Sequence, residues 1–252
     1  MAATLPSHMK ASQWTSASGR IEKRLKYTTS AEPHKHAHSL PPDHTLEKVA
    51  YASINLADYK LAEIPLVNRF FFKTPATPGI DYAGTVVATT SPHLKPGDRV
   101  LGKTQPPVFG AAAEYLVITP AYSCVPLPDE VELEQAACVG VAGLTAYKSI
   151  APFVKPGSKV LINGGSGEVG AFGVQIGKAL DCTVTATCSG NNAEFCRGLG
   201  AHSVIDYRST PVVEALKRSG VQYDLIVDNV FEEPQLYWQA HHYLKPSGVY
   251  IR

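Results

Sequence analysis

The stretch Lys159-Val-Leu-Ile-Asn-Gly-Gly-Ser-Gly-Glu-Val-Gly170 constrains this chain more than any other. A short apolar strand, Lys159 to Asn163, runs into glycines. A helix follows, with apolar residues recurring at Val169, Phe172, Ile176 and Leu180. Gly165, Gly167 and Gly170 stand at G-x-G-x-x-G spacing. In that pattern the first glycine permits the tight turn and the second lets a phosphate approach the backbone. The third lets helix and strand pack closely. A helix that starts here offers unpaired N–H groups and a partial positive charge to an anion. Gly165, Ser166, Gly167, Glu168, Val169 and Gly170 are therefore expected to hold the pyrophosphate of a dinucleotide.

What surrounds the turn sets the architecture. Downstream of about Leu133 the pattern is helical to Ile150. Then strands and helices alternate: Lys159–Asn163, helix Val169–Leu180, Thr183–Thr187, helix Ala193–Leu199, Ser203–Ile205, helix Val212–Lys217, Asp224–Val227, helix Pro234–Tyr243 and Val249–Ile251. Repeated βα units imply a doubly wound parallel sheet, with the glycine turn after its first strand. Upstream, short strands lie between Pro/Gly turns: Lys48–Ile54, Gly84–Ala88, then the turn Lys95-Pro-Gly-Asp98 into Arg99–Leu101, and Ala113–Ile118. This spacing predicts a barrel-like β domain. The expected organisation is a loose extension over 1–9, a β domain over 10–132 and a dinucleotide-binding domain over 133–252.

Composition narrows the partners. Of 252 residues, 23 are basic and 22 acidic, for a net charge of +1, so no polyanion such as nucleic acid is indicated. No apolar run spans a bilayer and no basic-then-apolar leader opens the chain, which predicts a cytoplasmic protein. Cys124, Cys138, Cys182, Cys188 and Cys196 are dispersed without a C-x-x-C, which argues against a disulfide framework or a structural zinc site. Cys138 and Cys188 are expected to be buried, inert thiols. His34, His36, His38 and His44 share a Pro-rich stretch, read as a solvated loop because no further ligand pattern accompanies them.

The end of the second strand of the parallel sheet discriminates between nicotinamide cofactors. NAD-dependent proteins usually carry Asp or Glu there for the ribose 2′-OH. Here the strand ends Thr187-Cys-Ser-Gly-Asn-Asn192, and the next acid is Glu194. With no carboxylate to repel a 2′-phosphate, and with Ser189, Gly190, Asn191 and Asn192 able to donate hydrogen bonds, NADPH is favoured over NADH. Arg197 and Arg208 are candidate cationic partners. Ser-Gly-Asn-Asn also reads as a turn and helix cap, and both readings can hold together.

Several segments in order resemble the medium-chain dehydrogenase/reductase superfamily, in its zinc-independent quinone oxidoreductase and trans-acting enoyl reductase branch. They are Asn55-Leu-Ala-Asp-Tyr-Lys60, Pro78-Gly-Ile-Asp-Tyr-Ala-Gly84, Lys95-Pro-Gly-Asp-Arg-Val100, Gly143-Leu-Thr-Ala146 and the glycine turn. The resemblance implies an α/β protein, with a GroES-like β-barrel domain followed by a Rossmann sheet and the active site between them. It puts Ile80 where zinc-dependent relatives carry a ligand histidine. Without its ligands the metal cannot bind, and the Lewis acid that ionises an alcohol is lost. An acceptor that delocalises its own negative charge, such as an enone, a quinone or an enoyl thioester, would still take a hydride. By resemblance, Asn55, Asp58, Lys60 and Thr145 line the nicotinamide and acceptor side. Lys60 or Thr145 would polarise a carbonyl or anchor an acyl tail, and Tyr207 would contact the adenosine phosphate. Each has a plainer reading: Asp58 as the cap of a helix beginning at Tyr59, Lys60 as a solvated lysine, Thr145 bonded to its own helix. A role in fungal polyketide or secondary metabolism also follows from the resemblance.

The chain departs from the family by stopping at Arg252, inside the expected fifth strand, so the sheet is expected to lack its last strand. That predicts an apolar edge open to a second copy or a partner protein. It also raises an alternative expectation: a shortened, non-catalytic NADPH-binding or partner-binding protein.

Overall fold

The computed structural model describes residues 6–16, 20–34, 39–64, 66–67, 70, 72–105, 109–232 and 234–252. The chain forms two compact units, Met1–Val141 and Ala142–Arg252.

The first unit is built on an antiparallel five-stranded sheet. Its strands are β3 (Thr45–Ala52), β4 (Asp81–Thr89), β5 (Arg99–Lys103), β6 (Tyr115–Ile118) and β7 (Ser123–Pro126), in the order β6-β3-β4-β5-β7. A separate hairpin pairs β1 (Met9–Trp14) with β2 (Leu25–Ala31). The Lys95–Asp98 turn forms as its residue types dictate. Gly97 takes a positive φ of 94°, and the Asp98 carboxylate accepts the Lys95 N–H at 2.9 Å. Tyr82 is fully buried and donates its hydroxyl to the Ser123 carbonyl at 2.8 Å, tying β4 to β7. A Cβ on Gly102 would lie 2.5 Å from that hydroxyl, so glycine leaves the ring its place.

Three expectations shift here. Met9, assigned above to a loose extension, begins β1 and is buried, because its side chain packs with Ala11 and Ala31. Leu133–Ala136, assigned above to the second domain, is a helix that contacts β3, β4 and β5 of the first unit. The helical stretch expected to run unbroken to Ile150 instead passes through a π-turn at Val139–Gly143. Two glycines weaken the helix there, and the Val141 N–H donates to Asp81.

The second unit is a parallel sheet ordered β10-β9-β8-β11-β12. Its strands are β8 (Lys159–Asn163), β9 (Thr183–Cys188), β10 (Ser203–Asp206), β11 (Tyr223–Asp228) and β12 (Leu244–Ile251). Val160 and Ile162 enter one apolar cluster while Leu161 enters the other, so β8 is buried on both faces. Such burial explains why its sequence is a continuous apolar run rather than an alternating one. Strand order reverses at β8, with β9 on one side and β11 on the other, and the glycine turn leaves from that point. The helix after the turn, Glu168–Ala179, packs Ile176 against the sheet as its periodicity predicts but buries its small residues more deeply. Gly170, Gly173, Val174 and Gly177 are buried, whereas Val169, Phe172, Ile176 and Leu180 are only half-buried. Glycines win because the helix lies directly on the sheet: a Cβ on Gly177 would come 2.7 Å from Val184. The helix expected over Pro234–Tyr243 stops at Trp238 and continues as a 3-10 turn at Ala240–His242, and the fifth strand begins earlier than expected, at Leu244.

Candidate functional site: a dinucleotide turn and a carboxylate cluster

The glycine turn has the geometry that a pyrophosphate needs. Gly164 has φ +81°, open to glycine with little strain. The Gly164 N–H donates to Thr187 Oγ1 at 2.9 Å, and the Gly165 N–H donates to the Thr187 carbonyl at 2.8 Å. A Cβ on Gly165 would sit 2.7 Å from Ala186 Cβ, and one on Gly170 would collide with the Gly164 carbonyl. Gly165 and Gly170 are therefore required for the turn to close against β9 and for its helix to start there. Gly167, by contrast, is exposed, with ordinary contact at 3.4 Å for a Cβ, so its bareness matters only toward something outside the fold. Among the described residues no side chain caps the helix, which leaves the N–H groups of its first turn to an external anion.

The structure brings the end of β9 to this turn. Asn192 Nδ2 donates to Ser166 Oγ at 3.1 Å, joining two segments picked separately from sequence. Ser189 is buried, while Gly190, Asn191 and Asn192 are exposed, as are Tyr207 and Arg208 just beyond β10 and Arg197 on helix Ala193–Leu199. The structure adds a carboxylate that the linear reading missed. Asp206 ends β10, beside Cys188 in the sheet register, and its Oδ2 lies 2.7 Å from the place of a Gly190 Cβ. Its Oδ1 accepts the Arg208 N–H at 2.9 Å. The loop is thus not free of acid: the acid arrives from the neighbouring strand, where sequence spacing gives no sign of it.

In the first unit, Asn55 and Asp58 open the helix Leu56–Glu63. Asp58 is 1% exposed. One oxygen accepts the Asn55 N–H at 2.6 Å and the other the Gly79 N–H at 3.0 Å. Its carboxylate is occupied in capping and in fixing the Gly79 loop, the plainer of the two readings given above. Asn55 is buried as well and donates Nδ2 to Asp81 Oδ2 at 3.1 Å, the same oxygen that accepts the Val141 N–H at 2.9 Å. Asp81 was not singled out from sequence. It is fully buried, and its Oδ1 accepts no hydrogen bond among the described residues. Burial raises the pKa of both carboxyls, against the pull of the N–H groups that bond them. Lys60 stands exposed on the same helix. Ile80 is buried in an apolar cluster with Trp14, Phe72 and Phe109.

Thr145 is an exposed residue of the helix Leu144–Ile150 in the second unit. Cys188 is buried, as expected, but Cys138 is exposed because it follows the short helix Leu133–Ala136 at the surface of its unit. All five cysteines are free. His36 and His38 lie outside the described residues. His34 is exposed, and among the described residues no group of three His, Cys, Asp or Glu side chains could hold a metal.

With this geometry in hand, likeness to known proteins becomes informative. Residues 41–129 match the alcohol dehydrogenase GroES-like domain. The chain is 44% identical over 262 aligned positions to the trans-enoyl reductase pgmF of Aspergillus terreus, covering all of this chain and 73% of that protein. The quinone oxidoreductase of Coxiella burnetii has a TM-score of 0.81 and 29% identity, covering 96% of this chain and 74% of that one. The Escherichia coli quinone oxidoreductase, solved in complex with NADPH, shares the fold at a TM-score of 0.77 and 23% identity, over 96% of this chain and 72% of that one. A β domain followed by a Rossmann sheet defines the class, and these likenesses define the group within it. The chain belongs to the medium-chain dehydrogenase/reductase superfamily of oxidoreductases, in its zinc-independent quinone oxidoreductase and enoyl reductase branch.

Proposed function

We propose that the chain is an NADPH-dependent, zinc-independent reductase of conjugated acceptors, the enones, quinones and enoyl thioesters, acting in fungal polyketide or secondary metabolism. The glycine turn carries the reading: the bare Gly167, the helix N–H groups left open beside it and the link from Ser166 to Asn192 suit a dinucleotide pyrophosphate. When bound, the nicotinamide would supply the hydride. The backbone N–H groups opening Glu168–Ala179 would hold the phosphates, with Ser166 and Asn192 beside them. Lys60 or Thr145 is the proposed group that polarises the acceptor carbonyl or anchors an acyl tail, and each stands at an exposed position of its own unit. The branch carries the likeness to the pgmF trans-enoyl reductase, which supports the acyl-thioester reading of the acceptor. A cytoplasmic location belongs to the same proposal; among the described residues no helix is long and apolar enough to cross a membrane.

Cofactor preference is the part of this reading that most needs the test, because the Asp206 carboxylate faces the loop that would hold a 2′-phosphate and would repel it. The assay is oxidation of NADPH and NADH followed at their reduced-nicotinamide absorbance, with a panel of quinones, enones and enoyl thioesters. Turnover with one of these acceptors and NADPH is the expected result. Binding without turnover on any acceptor would instead favour the non-catalytic alternative.

A further inference from the structure

Asp228 ends β11 and is 3% exposed. Four donors from three places in the chain converge on its carboxylate. Oδ1 accepts from Asn163 Nδ2 at 2.8 Å and from the N–H groups of Val230 and Phe231 at 3.1 and 3.3 Å. Oδ2 accepts from the Tyr250 hydroxyl on β12 at 3.0 Å. The bonds continue toward the glycine turn. Thr187 Oγ1 donates to Asn163 Oδ1 at 2.5 Å and accepts the Gly164 N–H at 2.9 Å. One chain of hydrogen bonds therefore crosses β9, β8, β11 and β12 at the end of the sheet where the turn lies.

The far end of this chain is a constrained loop. Phe231 is a non-glycine residue at φ +62°, a conformation that persists only where its surroundings impose it. Its N–H bonds Asp228, its carbonyl accepts from Arg252, and its ring lies 5.3 Å beneath the Arg252 guanidinium. Val230 packs on the turn itself: a Cβ on Gly164 would lie 2.9 Å from Val230 Cγ2. Asn229 Nδ2 donates to the Asn163 carbonyl at 3.2 Å.

We propose that Asp228 is a positioning residue for the dinucleotide site, holding the loop Asn229–Phe231 against Gly164 and setting the shape of the turn through Asn163 and Thr187. The inference rests on the reading of the glycine turn as a dinucleotide site. A carboxylate suits the task because it accepts from four donors at once, whereas a neutral side chain of its size does not. Removing it leaves buried donors unpaired, and they are relieved only if the loop moves.

The test compares Asp228→Ala, Asp228→Asn and Tyr250→Phe in the full chain by two readouts. One is NADPH and NADH affinity from nucleotide fluorescence. The other is amide hydrogen exchange over the peptides containing 163–170 and 228–232. Asp228→Ala is expected to weaken binding by about tenfold or more, and to speed exchange in both peptides by a similar factor. Asp228→Asn, which keeps an acceptor for the loop N–H groups but not a second one for the Tyr250 hydroxyl, recovers part of both. Tyr250→Phe removes one bond and shifts both readouts about threefold. Wild-type affinity in Asp228→Ala overturns the proposal, and so does weakened binding with unchanged exchange. If Asp228→Ala fails to fold, unchanged exchange and affinity in Tyr250→Phe overturn it. Failure of the wild-type chain to bind either nucleotide counts against the cofactor reading alone, because exchange still tests the loop.

Discussion

At Gly170 the fold leaves no room for a single methyl group, because a Cβ there collides with the Gly164 carbonyl. Gly170→Ala must open the turn or tilt the helix. It is expected to weaken nucleotide binding by about tenfold or more, while Gly167→Ala, which meets nothing closer than 3.4 Å in the protein, changes melting temperature little; thermal melts beside a binding titration separate the two. Glu47 is the residue whose cost the structure makes plainest. It lies in β3, fully buried, with neither carboxyl oxygen hydrogen-bonded among the described residues, and burial pushes its pKa from 4.5 up to about 9. The folded chain therefore holds a proton that the unfolded chain releases above pH 4.5, so stability falls as pH rises from about 4.5 to about 9. Its charged form would also face the Cys124 thiol, which burial raises to about 11. Glu47→Gln is expected to flatten the decline and to raise the melting temperature at pH 8. A slope identical to wild type in pH-dependent melts would refute this account. Nothing in the sequence around Glu47 marks it: a glutamate next to Lys48 reads as a surface residue until its neighbours are known.

At the level of elements, the parts legible in sequence were those with local causes. Strand Lys159–Asn163 and helix Ala193–Leu199 stand where expected, because an apolar run before glycines and a polar turn before a helix are local signals. How closely Glu168–Ala179 approaches the sheet was not local. Periodicity puts Ile176 against the core, but the close approach of helix and sheet selects the glycines for the deepest positions. Gly177→Val is accordingly expected to cost about 1–3 kcal/mol by overpacking against Val184, measurable by urea denaturation. The helix Leu56–Glu63 makes the complementary case. Asp58 was legible as a capping residue, but not that Asn55 opens the helix three residues earlier, nor that Asp58 also fixes the Gly79 loop, 21 residues away. Asp58→Ala removes an acceptor for two buried N–H groups and is expected to cost about 2–4 kcal/mol in the same measurement.

For the whole molecule, each compact unit has its own core, and family membership extends over both. The zinc-independent branch carries an expectation distinct from nucleotide binding. Purified protein treated with a chelator is expected to keep its full reductase rate, with less than about one zinc in ten chains by elemental analysis. Stoichiometric zinc, or activity lost to the chelator and restored by zinc, would reject it. The sequence by itself determined the class of each unit, the parallel sheet implied by βα repetition, and the turn that suits a pyrophosphate, because these rest on period, glycine spacing and turn chemistry within some dozen residues. Only the tertiary structure decided that Asp206 reaches Gly190 from the adjacent strand, that Asp81 and Glu47 are buried, and that Asp228 gathers Asn163, Tyr250 and the loop Asn229–Phe231. Those contacts join residues up to 65 positions apart. Their existence depends on which strands become neighbours, and no spacing along the chain encodes that.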